Sequence, residues 1–327
     1  MIRKMNAGFQ TAGGLSLNLL SDDELYQIHL ASLELLNNRG IFVEEKKAVD
    51  ILCDYGCWVD ADKCVRFPSS LVEDCINWAP SNFVACGRNP EDDTVYENKR
   101  VNFTNFGEGI VTIDPFTQER RSTTKKDAMN IALACDAMQS TTVYQRAVLS
   151  HDVPQKVSAL HNAEASLLNC RKHHHIGMGS SFEAEKLVDM AAVVAGGKEK
   201  LRERPVMTFN NCPISPLRIP AETCKIMMIA AENYLANMCL AMVQPGATGP
   251  ATMAGCLAQH NAEILAMNCL VQSTRKGSAF IYGSSACTFD MKTGVVGVGT
   301  PEAAILNAGL GLLSQKLYKM PCFLGGG

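Results

Sequence analysis

No run of about 18 apolar residues occurs in this 327-residue chain, so no segment reads as a membrane-spanning helix. The basic stretch Met1 to Met5 leads into Gly13-Gly14 and Asp22-Asp23 rather than an apolar core, and no secretory signal is expected. Charge of one sign is also missing. The net charge is -3 and the pI near 6.2, with Lys and Arg dispersed, which argues against nucleic acid or an anionic membrane as partner. There is no paired cysteine framework, although the chain has 14 cysteines. Cys135, Cys170, Cys224, Cys239, Cys256 and Cys269 are scattered through apolar segments, as suits small core residues in a reducing cytosol. A soluble, cytoplasmic protein is expected. No G-x-G-x-x-G stands directly after an early strand, which counts against a doubly wound dinucleotide-binding sheet.

A hydrophobic content of 47% excludes disorder and suffices for a large core, in one barrel or two ordinary domains. Ser21-Asp22-Asp23-Glu24 is a capping box, followed by Leu25, Ile28, Leu35 and Leu36 at helical spacing until Gly40. A second helix is expected over residues 44–55, stopping at Gly56, and a third from Pro68 to Ala79-Pro80. Extended segments then fall at residues 82–86, 100–105 and 110–113. From Ser122 strands and helices alternate. Extended runs at 143–149, 174–178, 206–210, 239–243, 279–282 and 322–324 recur every 30 to 40 residues or so, as βα units do. With 100–105 as a first strand, about seven strands of an eight-stranded (β/α)8 TIM barrel are present. The expected division is an N-terminal helical section with short strands over 1–99, then an incomplete barrel over 100–327.

His173-His174-His175 point alternately to the two faces of a strand and cannot readily share one ion, so a structural or surface role is expected and no metal site is assigned. Cys53 and Cys57 lack a second pair. His260 lies on the face of Met253, Leu257 and Ile264 and reads as a core histidine. Gly294, Gly297 and Gly299 before Thr300-Pro301 match no phosphate fingerprint. Polar residues stand where strands end: Asn105, Tyr144, Gln145, Asn210, Asn211, Gln244, Tyr282 and Ser284. In a barrel they would converge on one mouth and orient a small ligand, while ordinary loop capping is the competing reading. Cys322-Phe323-Leu324 runs into Gly325, Gly326 and Gly327, three glycines on the expected catalytic rim.

Three blocks carry more than pattern. Arg204 through Asn210-Asn211 to Leu217, Gln244 through Gly255 into Asn261-Ala266, and Tyr282 through Asp290-Gly294 to Thr300-Pro301-Glu302 resemble the trimethylamine methyltransferase family, as does the section from Gly40 to Pro80. The resemblance implies a TIM barrel that moves a methyl group from a methylated amine to the cobalt of a corrinoid (cobalamin) on a cognate partner protein, this chain holding no tight cofactor of its own. It also implies that the catalytic group follows Gly327. Trimethylamine enzymes of the family carry pyrrolysine, encoded by an amber codon, immediately after a glycine-rich turn like Gly325–Gly327. The chain is therefore expected to be cut at that codon, to be inactive and poorly stable as it stands, and to belong to a homo-oligomer of methylamine metabolism in methanogenesis. Asn105, Tyr144, Asn211, Gln244 and Tyr282 are the expected substrate shell, and Gly325 to Gly327 the expected turn at the cofactor. Two other readings remain: a quaternary amine enzyme acting on glycine betaine, and a non-catalytic fragment that binds the corrinoid protein or a methylamine.

Such a reaction needs a good leaving group. A tertiary amine becomes one when protonated or added to an electrophilic imine, and cobalt(I) then requires an in-line path to the methyl carbon.

Overall fold

The computed structural model describes residues 19–97 and 100–325, with the backbone of Phe9–Gln10. Ten helices follow one another among these residues. They are α1 (Asp22–Asn38), α2 (Lys46–Asp54), α3 (Ser69–Trp78), α4 (Lys125–Ala137), α5 (Ser158–Asn169), α6 (Ser181–Ala195), α7 (Lys198–Glu203), α8 (Ala221–Glu232), α9 (Met253–Thr274) and α10 (Pro301–Leu312). Between them lie six strands that pair in parallel: β1 (Val143–Gln145), β2 (His173–Gly177), β3 (Met207–Asn211), β4 (Ala236–Ala241), β5 (Phe280–Ser284) and β6 (Cys322–Leu324). This is an α/β fold of successive strand and helix units.

Local signals account for most helix ends. The Ser21 hydroxyl accepts from the Glu24 N–H and the Glu24 carboxylate accepts from the Ser21 N–H, while Asp22, Asp23 and Glu24 complement the positive end of α1. Thr300 caps α10 ahead of Pro301. At α6, Ser180 caps by accepting from the Glu183 N–H, while the Glu183 carboxylate accepts from the Gly179 N–H and the Ala159 N–H. Strand β4 begins three residues before its apolar run suggests. All six of its residues are buried, so alternation could not mark its start.

Packing divides the chain into two compact units. One holds Met1–Ala12, Phe83–Asn210 and Asn233–Leu235; the other holds Gly13–Asn82, Asn211–Glu232 and Ala236–Gly327. These units cut across the boundary drawn at residue 99 from sequence. In the first unit β1 pairs with β2 and β2 with β3, placing Gln145 beside His175, His175 beside Thr208, and Gly177 beside Asn210 on one face. The opposite face meets the helices, where Tyr144 packs with Ala128, Ala132 and Cys135 of α4 and Ala165 of α5. The segment expected as a first barrel strand behaves otherwise at its start. Arg100–Val101 pairs antiparallel with Phe9–Gln10, and only from Thr104 does the chain run parallel to β1. Residues 110–113 are not a lone extended run either, because Val111–Ile113 folds back on Arg120–Ser122 as a hairpin.

In the second unit β4, β5 and β6 pair in parallel, with Met238 beside Ile281 and Tyr282 beside Cys322. Helix α9 lies against this ladder and is buried nearly all round, from Cys256 to Ser273, by α1, α2, α3, α8 and α10. No helix among the described residues is long and apolar enough to cross a membrane.

The three adjacent histidines are buried rather than on the surface. His173 bonds the Cys86 carbonyl and the Thr208 hydroxyl, and His175 bonds the Tyr96 hydroxyl. Burial lowers the His173 imidazole to about 3 and that of His174 to about 4, and pushes His175 well below its usual value. Below about pH 6.5 the unfolded chain takes up protons that the folded chain refuses, so stability falls as pH drops from 6.5 toward 4, by at most about 1.4 kcal/mol per pH unit for each imidazole. Thermal melts between pH 7 and pH 5 should show the midpoint falling, with a shallower slope for His174→Gln. A midpoint flat across that window would contradict this.

Candidate functional site

Parallel pairing brings the carboxyl ends of β1, β2 and β3 to one edge, where βα folds do their chemistry. Just past β1, Arg146 is buried, and its Nη2 lies 2.5 Å from Glu108 Oε1, whose side chain is 44% exposed. Glu108 sits between Gly107 and Gly109 with φ of 66°, a left-handed conformation that a residue other than glycine adopts at a cost. Its N–H donates to the Arg146 carbonyl and the Gly109 N–H to the Ala147 carbonyl, so backbone pairing along the chain after β1 imposes that geometry. Gly177 at the end of β2 makes room for the carboxylate, since a Cβ there would lie 2.8 Å from Glu108 Oε1 and 3.4 Å from Arg146 Nη2. Around this pair, the buried Gln145 Oε1 and Asn210 Oδ1 have no hydrogen-bond partner among the described residues.

The expected site residues divide by the face they occupy. Asn105 is a substitute for strand pairing, because its amide donates to the Gln145 carbonyl and its oxygen accepts from the Gln145 N–H, at 2.8 and 2.9 Å. Tyr144 points into the helix layer with its hydroxyl near the Ala147 N–H. Asn211 Nδ2 donates to Asn237 Oδ1, and Asn237 in turn reaches the Met227 carbonyl of α8. Tyr282 is fully buried toward α9, and its hydroxyl donates to Asn261 Oδ1 at 3.0 Å. Period-two alternation on a strand decides this, and a polar residue at a strand end carries no mark of its face. Gln244 is half-buried; its carbonyl closes a turn by accepting from the N–H groups of Ala247, Thr248 and Gly249, and its amide approaches Cys287 Sγ at 3.7 Å. Gly325 extends the β5–β6 ladder through its N–H to the Ser284 carbonyl, and a Cβ there would meet only ordinary contacts. Gly326 and Gly327 lie outside the described residues.

Two features at the strand ends were missed by sequence reasoning. One is Glu108 with Arg146; the signal available was an acid flanked by glycines, Gly107-Glu108-Gly109, after an extended run. The other is Glu263 on α9, which is fully buried and accepts from the Ser215 hydroxyl at 2.7 Å, the Leu217 N–H at 2.9 Å and the Gln259 amide at 2.9 Å. It thereby holds the loop that follows β3, and burial raises its carboxyl above the usual range. Among the described residues no group of three or more His, Cys, Asp or Glu side chains is placed to hold a metal ion.

The model of the trimethylamine methyltransferase (MTTB) family matches residues 5–327. The chain belongs to that family. It is 42% identical over 324 residues to the trimethylamine methyltransferase MttB of Desulfitobacterium hafniense, covering 99% of this chain and 65% of that protein. Against the MttB of Methanosarcina thermophila it is 33% identical over 334 residues, covering 98% and 67%. A glycine betaine methyltransferase of Desulfitobacterium hafniense is 30% identical over 311 residues, covering 95% and 64%. The chain thus spans about two thirds of the length of these relatives. Among solved structures, the monomethylamine methyltransferase MtmB of Methanosarcina barkeri shares the fold, with a TM-score of 0.58 at 11% identity over 93% of this chain and 67% of that one.

These placements predict two mutational outcomes. Tyr282→Phe leaves the buried Asn261 Oδ1 without its donor and should lower unfolding free energy by about 1–3 kcal/mol in urea titrations. Glu263→Ala leaves three donors unpaired and should lower it by roughly 3 kcal/mol or more while exposing the Cys212–Leu217 loop to limited proteolysis; Glu263→Gln, which keeps the volume and one acceptor, should do less.

Proposed function

We propose that the protein takes part in methyl transfer from trimethylamine to cobalt(I) of a corrinoid carried by a cognate partner protein, on a fold of the (β/α)8 barrel type. The observation that carries this reading is the match along 99% of the chain, at 42% identity, to a trimethylamine methyltransferase, against 30% to a glycine betaine methyltransferase. The transfer breaks the C–N bond and forms a Co–C bond. Cobalt(I) supplies the electron pair and ends as methyl-cobalt(III), and the nitrogen keeps the C–N pair and leaves as neutral dimethylamine once it has been made cationic. What the fold contributes is placement: in the first unit side chains on the face away from the helices are offered to a ligand while Tyr144 holds the scaffold, and in the second Asn211 and Tyr282 hold the scaffold with Gln244 in the loop after β4.

The test is an absorbance assay of protein purified from its native source with a cob(I)alamin-loaded corrinoid protein. Trimethylamine should convert the cobalt(I) spectrum to that of methyl-cobalt(III), and glycine betaine should not. Turnover of glycine betaine alone would move the assignment to the quaternary amine reading, and binding without turnover of either would favour a non-catalytic role.

A further inference from the structure

The loops that follow β3 and β4 are both tied to α9, through two side chains one helical turn apart. Gln259 and Glu263 stand at i and i+4, on one side of the helix. The Glu263 carboxylate accepts from the Ser215 hydroxyl and the Leu217 N–H in the loop after β3, and its Oε1 also accepts from the Gln259 amide at 2.9 Å. That amide has a second hydrogen, which goes to the Thr248 carbonyl in the loop after β4, again at 2.9 Å. An unbroken path of hydrogen bonds therefore runs from Leu217 through Glu263 and Gln259 to Thr248, every member within the second unit.

Each end of this path holds backbone that would otherwise relax. Leu217 has a φ of 56°, a left-handed conformation that leucine adopts at a cost, and its N–H is a group that Glu263 holds. At the other end the turn closes on Gln244, whose carbonyl accepts from the N–H groups of Ala247, Thr248 and Gly249 and whose own N–H donates to the Thr248 hydroxyl. A Cβ on Gly249 would lie 2.4 Å from Val243 Cγ1 and 3.1 Å from Cys256 Sγ, so the turn is pressed against its strand and α9 without slack. Burial pushes the Glu263 carboxyl up, a cost that an apolar residue at this position would not carry. What the acid supplies is acceptor capacity, two oxygens for one loop and for the residue that holds the other.

We propose that Gln259 and Glu263 form a latch that joins residues 212–217 and residues 244–249 into one cooperative unit, which opens and closes as a whole. When Leu217 and Ser215 leave, Glu263 stays buried with Gln259 as its remaining donor, and the amide is drawn from Thr248. When Thr248 leaves, Gln259 is free to turn and Glu263 loses a donor. Hydrogen bonds to a buried carboxylate make each loss costly, so neither loop opens alone. Gln244 then takes its position from an acid that it does not touch, and any ligand contact made by its loop is gained or lost together with the loop of Ser215. The coupling goes beyond the methyl-transfer reading and does not require it.

Amide hydrogen exchange followed by NMR on the full 327-residue chain, with no substrate present, tests the latch. Gln259→Met removes the shared amide and leaves Leu217 its own acceptor, yet exchange of the Leu217 N–H should rise about fivefold together with that of the Thr248 and Gly249 N–H groups. Ser215→Ala leaves the hydrogen bonds of the Gln244 turn in place, yet exchange at Gly249 should rise by the same factor as at Leu217, because linkage makes coupling reciprocal. Lys316→Ala, which removes the partner of Asp22 on α1, should change neither loop. If Gln259→Met fails to fold, as thermal melts would show, Ser215→Ala carries the test, its site being only half-buried. Exchange that rises only in the loop nearest the substitution, or in neither loop, overturns the latch. Coupled exchange in a protein that transfers no methyl group from trimethylamine would overturn the functional reading and leave the latch standing.

Discussion

Helix α9 has no free face, and the second unit depends on how that is made tolerable. A helix buried all round would ordinarily be apolar, yet α9 carries Gln259, Asn261, Glu263, Asn268 and Gln272 in its buried stretch. Each is met from a neighbouring element. Asn261 is the busiest, donating to the Ser32 hydroxyl of α1 and to the Tyr318 hydroxyl while accepting from Tyr282 on β5. Tyr318 ends a wide π-type turn over Leu313–Tyr318 and bonds His29 of α1, which reaches Glu73 of α3. Asn268 donates to the Cys75 carbonyl of α3, and Gln272 to the Ser278 carbonyl ahead of β5. Losing one partner strands a buried polar group, so the network fixes a single arrangement of helices in a way that apolar packing alone would not.

That constraint reaches the strand ends through Glu263. Lying on the same helix, its carboxylate holds the loop after β3 by two of its bonds, so α9 packs against the β4–β6 ladder and positions a loop as well. In the first unit positioning comes instead from backbone pairing, since the segment from Phe103 to Gly109 follows β1 and sets Glu108 in place. The two units solve the same problem with different means, a polar helix in one and an irregular strand in the other.

Much of the architecture was legible along the chain. Capping residues at Ser21, Ser180 and Thr300, and apolar runs at regular intervals, are local properties and marked the helices and parallel strands to within a few residues. Long blocks such as Arg204–Leu217 carried the family resemblance that the match over residues 5–327 supports. Less legible were the short antiparallel pairs. Arg120–Ser122 is charged and exposed and pairs through backbone that leaves no hydrophobic pattern.

The sequence by itself determined the α/β class, the order of its units and the family, because each is written in local periodicity, capping chemistry and residue identity. Only the tertiary structure decided which face of its strand each polar residue takes. Tyr144, Asn211 and Tyr282 stand at strand ends like Gln145 and Asn210, yet turn to the helices, because the face a side chain takes depends on which neighbour its strand pairs with and in what register. Glu108 and Arg146 are 38 residues apart in the chain. Nothing in either segment alone shows that backbone pairing will bring the two charges within bonding distance, or that Gly177 will leave them the space.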